Sequence, residues 1–200
     1  MFEWLESLDR AIILAVNGTH SAFFDEFFWF VSKTATWIPL YALLLFLIFR
    51  SLGWKKMLLF LGFAVLLILI VDQTSVIFFK EAFQRYRPSH NLLLEKKLHF
   101  YEISKDEFYQ GGQYGFVSSH AVNFFAITLF AGLTLRERYP KMIWILVGIS
   151  CLVCYSRMYL GVHYFTDVFC GGLWGALWGY LFYRMFKKIT VSKPRDGFIS

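Results

Sequence analysis

The sequence is short of charge. Asp, Glu, Lys and Arg make up 17% of 200 residues, and hydrophobic residues 58%, against roughly 25% and 45–50% in an ordinary soluble domain. A single soluble core cannot hide that much apolar surface, so much of it must face lipid. Cysteine is scarce too: Cys151, Cys154 and Cys170 all lie in apolar runs. Cys151-x-x-Cys154 has no second pair and no soluble redox context, so these read as ordinary helix residues rather than zinc ligands or a disulfide. A secretory signal is not expected, because Glu3, Glu6 and Asp9 stand where a basic n-region belongs. No repeat or low-complexity segment is evident. A net charge of +6 raises the question of nucleic acid. The basic residues, however, sit in short groups beside apolar runs, the pattern of membrane topology determinants. No nucleic-acid partner is expected.

What is present is a succession of apolar segments. Residues 2–16 combine Phe2, Trp4, Leu5, Leu8, Ile12 and Ile13 with Glu3, Glu6, Asp9 and Arg10. That is an amphipathic helix, too short and too charged to span, and suited to an interface. Asn17-Gly18 ends it, and an aromatic segment follows at 22–33. The first span should include Trp37 to Phe49, which at 13 residues reaches only about 20 Å of a roughly 30 Å hydrocarbon core. It is expected either to extend back towards Phe28 with a kink at Pro39 or to have the 22–33 segment packed beside it. The second span begins near Met57, runs to Val71, and continues through Asp72, Gln73, Thr74 and Ser75 to Lys80. Its polar step predicts an end facing protein. Residues 84–117 form a polar loop on one membrane face, with room for a short helix. The third span starts at Ser118-Ser119-His120 and runs to about Leu135. The fourth starts at Pro140, a favourable first-turn proline, and runs to about Tyr155. The last covers about Asp167 to Phe186, with Gly171, Gly175 and Gly179 forming a stripe for close helix approach.

These segments predict an all-α fold. It is a polytopic membrane helical bundle of about five transmembrane helices, six being the alternative, plus an N-terminal interfacial helix. Residues 1–200 are expected to form one domain. With five spans, Arg50, Lys55 and Lys56, then Arg136, Arg138 and Lys141, then Arg184, Lys187, Lys188, Lys193 and Arg195 all fall on one side, expected to be cytoplasmic. The N-terminus and the 81–117 and 156–166 connections then face outward.

That arrangement brings unusual chemistry to one face. Charged groups between apolar runs are costly and mark functional sites. Lys80 precedes Arg87-Pro88 by seven residues; Ser118, Ser119 and His120 open a helix, whose free N–H groups favour an anion. Arg157 precedes His163, and His163 and Asp167, four apart, share a helix face where the carboxylate can fix the imidazole. Cations, a helix N-terminus and two histidines are the parts of a phosphoryl-transfer site. His163, with its carboxylate, suits the nucleophile that forms a phosphohistidine. His120 suits protonation of the leaving oxygen and later activation of water. Lys80, Arg87 and Arg157 suit a phosphate clamp, with hydrogen bonds from Ser118. The histidines are too few, and too far from other carboxylates, for a metal site, and no cofactor is expected.

The same residues resemble a known family. Lys80-x6-Arg87-Pro88, Ser118-x-His120 and Ser156-Arg157-x5-His163-x3-Asp167 look like the three signature motifs of the type 2 phosphatidic acid phosphatase (PAP2) superfamily, which includes membrane lipid phosphatases and soluble vanadium haloperoxidases. The motif core spans residues 80–167. The resemblance implies metal-independent hydrolysis with a histidine nucleophile. The middle motif departs from the usual Pro-Ser-Gly-His by reading Val117-Ser118-Ser119-His120; Ser119 can add a hydroxyl to the phosphate or narrow the pocket.

The expected function is a membrane-bound lipid phosphate or diphosphate phosphatase in a bacterial inner membrane, with its site on the outer face. The resemblance puts undecaprenyl diphosphate first, lipid A phosphate close behind, and phosphatidylglycerol phosphate and phosphatidic acid after them. The alternative is a lipid- or anion-binding transporter that uses the same cations without chemistry. A haloperoxidase using bound vanadate fits poorly, since those relatives are soluble. Among the other residues, Arg85 is expected in solvent or at a lipid headgroup, Asp72 beside a cation or a bend, and His20, His90 and His99 in loops. Tyr114, Tyr159 and Tyr164 read as anchors or packing.

Overall fold

The computed structural model describes residues 3–94 and 96–190. Phe2 of the expected first helix, and Lys193 and Arg195 of the basic tail, lie outside these described residues. Helix α1 (Glu3–Asn17) and helix α2 (Ala22–Ser32) come first. Gly18 N–H closes α1 onto Leu14 O at 2.9 Å, and Ser21 caps α2 by accepting from Phe24 N–H. At 15 and 11 residues they measure about 22 and 16 Å, too short to cross a bilayer.

Helix α3 (Ile38–Leu52) is preceded by a 3₁₀ turn, Thr34–Trp37, giving a 19-residue apolar helix from Thr34 to Leu52. The span does extend back, though only as far as Thr34 and not to Phe28. Pro39 sits in the first turn of α3, where its missing N–H costs nothing. Helix α2 packs instead on a later helix, Phe28 against Tyr155 and Tyr159.

Helix α4 (Trp54–Ser75) runs through a π-helical turn, Val76–Lys80, into the short α5 (Glu81–Phe83), 30 residues in all. The π turn begins after Asp72, whose carbonyl accepts from Ser75 Oγ and Val76 N–H. One extra residue in a turn rotates the residues beyond it by about 100°, which re-aims Lys80. The polar loop holds a 3₁₀ turn (Pro88–His90) and an antiparallel hairpin of β1 (Glu102–Ser104) and β2 (Glu107–Phe108), a small exception to the all-α expectation. Helices α6 (Ser119–Leu135), α7 (Met142–Tyr159) and α8 (Phe165–Thr190) complete the chain. Pro140 precedes α7 rather than starting it, and α7 continues to Tyr159, so Arg157 belongs to its last turn and not to the connection.

Helices α3, α4 and α7 are long and apolar enough to cross a membrane. With α6 and α8 they make a five-helix membrane bundle, and the described residues hold no helix that would serve as a sixth span. Leu69 is 58% and Trp144 74% exposed, as lipid-facing side chains should be. The interior of α4, α6 and α8 is an aromatic cluster in which Phe60 and Phe130 stack at 4.3 Å and Phe186 meets both edge-on. The glycine stripe lets α8 lie directly on α6: a Cβ on Gly175 would stand 2.0 Å from Val122 O, and on Gly179 2.3 Å from Ala126 O.

Antiparallel neighbours put the end of α4–α5, the start of α6, the end of α7 and the start of α8 at one end of the bundle. That end carries all three motifs. Gly175→Ala is expected to cost about 1–3 kcal/mol or more through overpacking and to lower the thermal unfolding midpoint in detergent. Gly148→Ala, whose Cβ would meet nothing within 4 Å, should be neutral or stabilising. Equal effects of the two would contradict the α6–α8 packing.

Candidate active site

The stretch after α7 builds the centre of the site. Gly161 adopts φ +72°, a conformation open to glycine at no steric cost. It closes the helix with Gly161 N–H to Met158 O and Val162 N–H to Arg157 O, a glycine-centred helix stop. The reversal holds His163 beside the helix end that carries Arg157. His163 is 1% exposed. Its Nδ1 lies 3.4 Å from Asp167 Oδ2, in the first turn of α8, and its Nε2 lies 2.7 Å from Arg87 Nη1. A guanidinium only donates, so Nε2 carries the lone pair and Nδ1 the proton. Asp167 is fixed by shorter bonds than the one to His163: Tyr164 N–H at 2.9 Å and Arg85 Nη1 at 2.9 Å.

Arg87 is held by its backbone. Arg87 N–H donates to Gln113 O and Gly115 N–H to Arg85 O, with Tyr86 and Tyr114 bridged between them. The Gly111–Gly115 turn covers the arginine so closely that a Cβ on Gly115 would meet its Cγ at 3.0 Å. Arg87 Nη1 also donates to Val162 O. Arg157 donates to Ser32 Oγ through Nη1 and to Tyr109 Oη, 2.7 Å away, through Nη2.

His120 lies one residue inside α6, with Nε2 3.2 Å from Ser32 O. A carbonyl only accepts, so this nitrogen carries the proton and Nδ1 is free to exchange one. Ser32 therefore positions two members of the site. Lys80 Nζ donates to Ser119 Oγ at 2.7 Å, so the serine in the usual glycine position holds the lysine. Ser118 N–H bonds Asp167 O at 3.0 Å and ties the start of α6 to the start of α8. The structure thus gathers Lys80, Arg87, Ser118, Ser119, His120, Arg157, His163 and Asp167 at one place.

Their donors are not all used. Arg87 Nε, Arg157 Nε and Ser118 Oγ are buried without a hydrogen-bond partner, each at a cost of about 1–3 kcal/mol. Burial, and then the guanidinium of Arg157, pushes Arg87 down to about 10. Burial, then Arg87 and Arg157, holds the His163 imidazole well below the usual histidine range, so it is neutral at pH 7 and available to attack. A bound anion at this point would satisfy the orphaned donors and balance the excess of positive charge. Among the described residues, no group of His, Cys, Asp and Glu side chains is assembled as metal ligands would be.

Beside the site opens an apolar cavity of about 470 Å³ between α3, α4 and α6. Ser119 and His120 line its upper end, Asn123 and Phe124 continue down α6, and Leu44 and Ala64 face them from α3 and α4. Its size is that of a small-molecule site.

Arg85 departs from expectation. It is not at a headgroup: its side chain is 11% exposed and bridges Asp9 and Asp167 at 2.7 and 2.9 Å. Asp9, Ser32 and Tyr109 were not expected near the motifs either. Only Arg85 carried a local sign, lying two residues before Arg87.

Comparison with known proteins fits this geometry. The model of the PAP2 superfamily matches residues 57–190. A lipid A 4'-phosphatase of Porphyromonas gingivalis is 34% identical over 185 residues, covering 92% of this chain and 75% of the relative. Another, of Bacteroides thetaiotaomicron, is 31% identical over 196 residues, covering 98% and 84%. The fold is shared with the transmembrane PAP2 type phosphatidylglycerolphosphate phosphatase of Bacillus subtilis, at a TM-score of 0.68 and 23% identity over 96% of this chain and 90% of that one. Aquifex aeolicus LpxE superposes at 0.61, with 23% identity over 87% and 93%. The match reaches from the second span to the end of the last, with the family's motifs inside it, and the chain belongs to the PAP2 superfamily as an integral-membrane lipid phosphatase.

Proposed function

We propose that this phosphatase removes a phosphate from lipid A, or from a lipid phosphate closely like it, through a phosphohistidine on His163. The observation that carries the reading is the set of orphaned donors, Arg87 Nε, Arg157 Nε and Ser118 Oγ, around a neutral, buried imidazole. Lys80, Arg87, Arg157, Ser118 and Ser119 bind the phosphate and stabilise charge on its equatorial oxygens as the bonds change. His163 Nε2 attacks phosphorus while the bond from phosphorus to the lipid oxygen breaks, and the departing oxygen takes the proton that His120 Nδ1 picks up when the phosphate anion binds beside it. Asp167 stabilises the positive charge that develops on His163. Water, deprotonated by His120, then attacks the phosphohistidine and releases inorganic phosphate. As phosphate enters, Arg87 exchanges its bond to His163 Nε2 for the anion.

The substrate follows from two supports. The relatives at 34% and 31% identity, matched over nearly all of this chain, are lipid A 4'-phosphatases, which moves lipid A ahead of undecaprenyl diphosphate. The apolar cavity runs from His120 and Ser119 into the bundle, a path for an acyl chain whose headgroup phosphate sits among the cations. The basic residues at the opposite end of the bundle, in the α3–α4 and α6–α7 connections and in the last turn of α8, support a cytoplasmic setting for that end. The site then opens at the outer face of the inner membrane, and the chain works as a single domain. A transporter would need the cations and the donors but not a nucleophile held against a carboxylate.

Phosphate release from a panel of lipid A, prenyl diphosphate and glycerophospholipid phosphates in detergent tests the substrate; the highest kcat/KM is expected for lipid A, and a clear preference for prenyl diphosphate would overturn it. His163→Ala should reduce release by at least about 10³-fold, and activity surviving it would remove the covalent route. Ala64→Phe, which fills the cavity, should raise KM for long-chain lipids while leaving hydrolysis of a short-chain phosphate unchanged. Equal loss on both substrates would place the chains elsewhere.

A further inference from the structure

Asp9 is an anomaly on its helix. It is 1% exposed on the buried face of α1 that it shares with Ile13 and Asn17, while Trp4 and Leu8 lie exposed on the other side. Its Oδ1 accepts Thr166 N–H at 3.0 Å, and its Oδ2 accepts from Arg85 Nη2 at 2.7 Å and from Thr166 Oγ1. The other arm of the same guanidinium, Nη1, donates to Asp167 Oδ1 at 2.9 Å and to Thr166 Oγ1 at 2.7 Å. The plane of Arg85 lies 4.2 Å over the Tyr164 ring. A continuous chain of contacts therefore runs from the interfacial helix to the imidazole: Asp9, Arg85, Asp167, His163.

We propose that Asp9 is a positioning residue for phosphoryl transfer, acting on His163 through Arg85 and Asp167. The inference rests on the proposed role of His163 as nucleophile. One guanidinium is shared between two carboxylates. Without Asp9, Arg85 is balanced by Asp167 alone, and the pull on Oδ1 draws that carboxylate away from His163. The contact most exposed to such a shift is the longest one, His163 Nδ1 to Asp167 Oδ2 at 3.4 Å. A carboxylate that slides even slightly loses its hold on the Nδ1 proton and its ability to stabilise the imidazole as charge develops. Anchoring of α1 alone needs no buried charge, since Ile13 already packs it into the fold. The seating of an interfacial helix is thereby linked to the geometry of the nucleophile.

The test is a double-mutant cycle on the full chain in detergent, reading phosphate release from a lipid phosphate. Asp9→Asn is expected to lower kcat about tenfold or more with KM changed less than about twofold. In an Arg85→Gln background, Asp9→Asn should lower kcat by less than about twofold further, because its route to His163 is already cut. Glu6→Gln on the same helix, whose partner is Arg10, is the control and should leave kcat unchanged. An unchanged kcat in Asp9→Asn, losses that multiply in the cycle, or a loss expressed in KM would overturn the proposal. If Asp9→Asn does not purify folded, Arg85→Lys carries the test: it keeps the charge but cannot span both carboxylates. The same loss confined to kcat is expected, and wild-type kcat would overturn the proposal. The cycle judges Asp9 by turnover, so a wild-type enzyme that turns over without ever labelling His163 overturns the covalent reading alone.

Discussion

Positive charge buried beside a neutral imidazole is the constraint on which the molecule depends. Arg87 and Arg157 are 9% and 3% exposed and flank His163, and among the described residues no carboxylate accepts a hydrogen bond from either guanidinium. Carbonyls, a serine, a phenol and the histidine itself take their Nη donors, which leaves each Nε unspent. Burying unpaired charge is costly, so this end of the bundle is built to receive an anion. The acids nearby are kept to other duties: Asp167 faces His163 and Arg85, and Asp9 faces Arg85 and Thr166.

The rest of the fold serves that placement. The glycine stripe lets α8 lie on the backbone of α6, so that Ser118 N–H reaches Asp167 O and the two helix starts hold one register. The turn at Gly161 returns His163 to the end of α7, where Arg157 lies. The π turn re-aims Lys80 at the start of α6. Below this polar layer the bundle is apolar, with a cavity leading away from His120. A lipid with a phosphate at its head and hydrocarbon behind it matches that gradient without leaving the membrane.

Much of the site was legible in the sequence because its key pairs are local. His163 and Asp167 are one helical turn apart, and Ser118 to His120 open a helix. Charges of that kind among apolar runs stand out. The stripe of Gly171, Gly175 and Gly179 was legible for the same reason, since its period is that of a helix face. The supporting shell was not legible. Arg157 meets Ser32 across 125 residues and Thr166 meets Asp9 across 157, and no spacing rule reaches so far. Ser32 ends a helix that reads as a plain aromatic segment, and Asp9 sits among ordinary charges of an amphipathic one. The end of α7 was placed too early because Ser156 and Arg157 look like the start of a polar connection. Tertiary contacts in fact carry the helix on to Tyr159. The hairpin at 102–108 is too short to leave a period.

The central claim is that His163 itself receives the phosphoryl group. Rapid acid-free quenching of the enzyme during turnover of radiolabelled lipid phosphate, followed by peptide mapping, measures this directly. The account predicts acid-labile, base-stable label on His163, formed no more slowly than phosphate is released. Label on a serine, or turnover of labelled substrate that never passes through the protein, would contradict it.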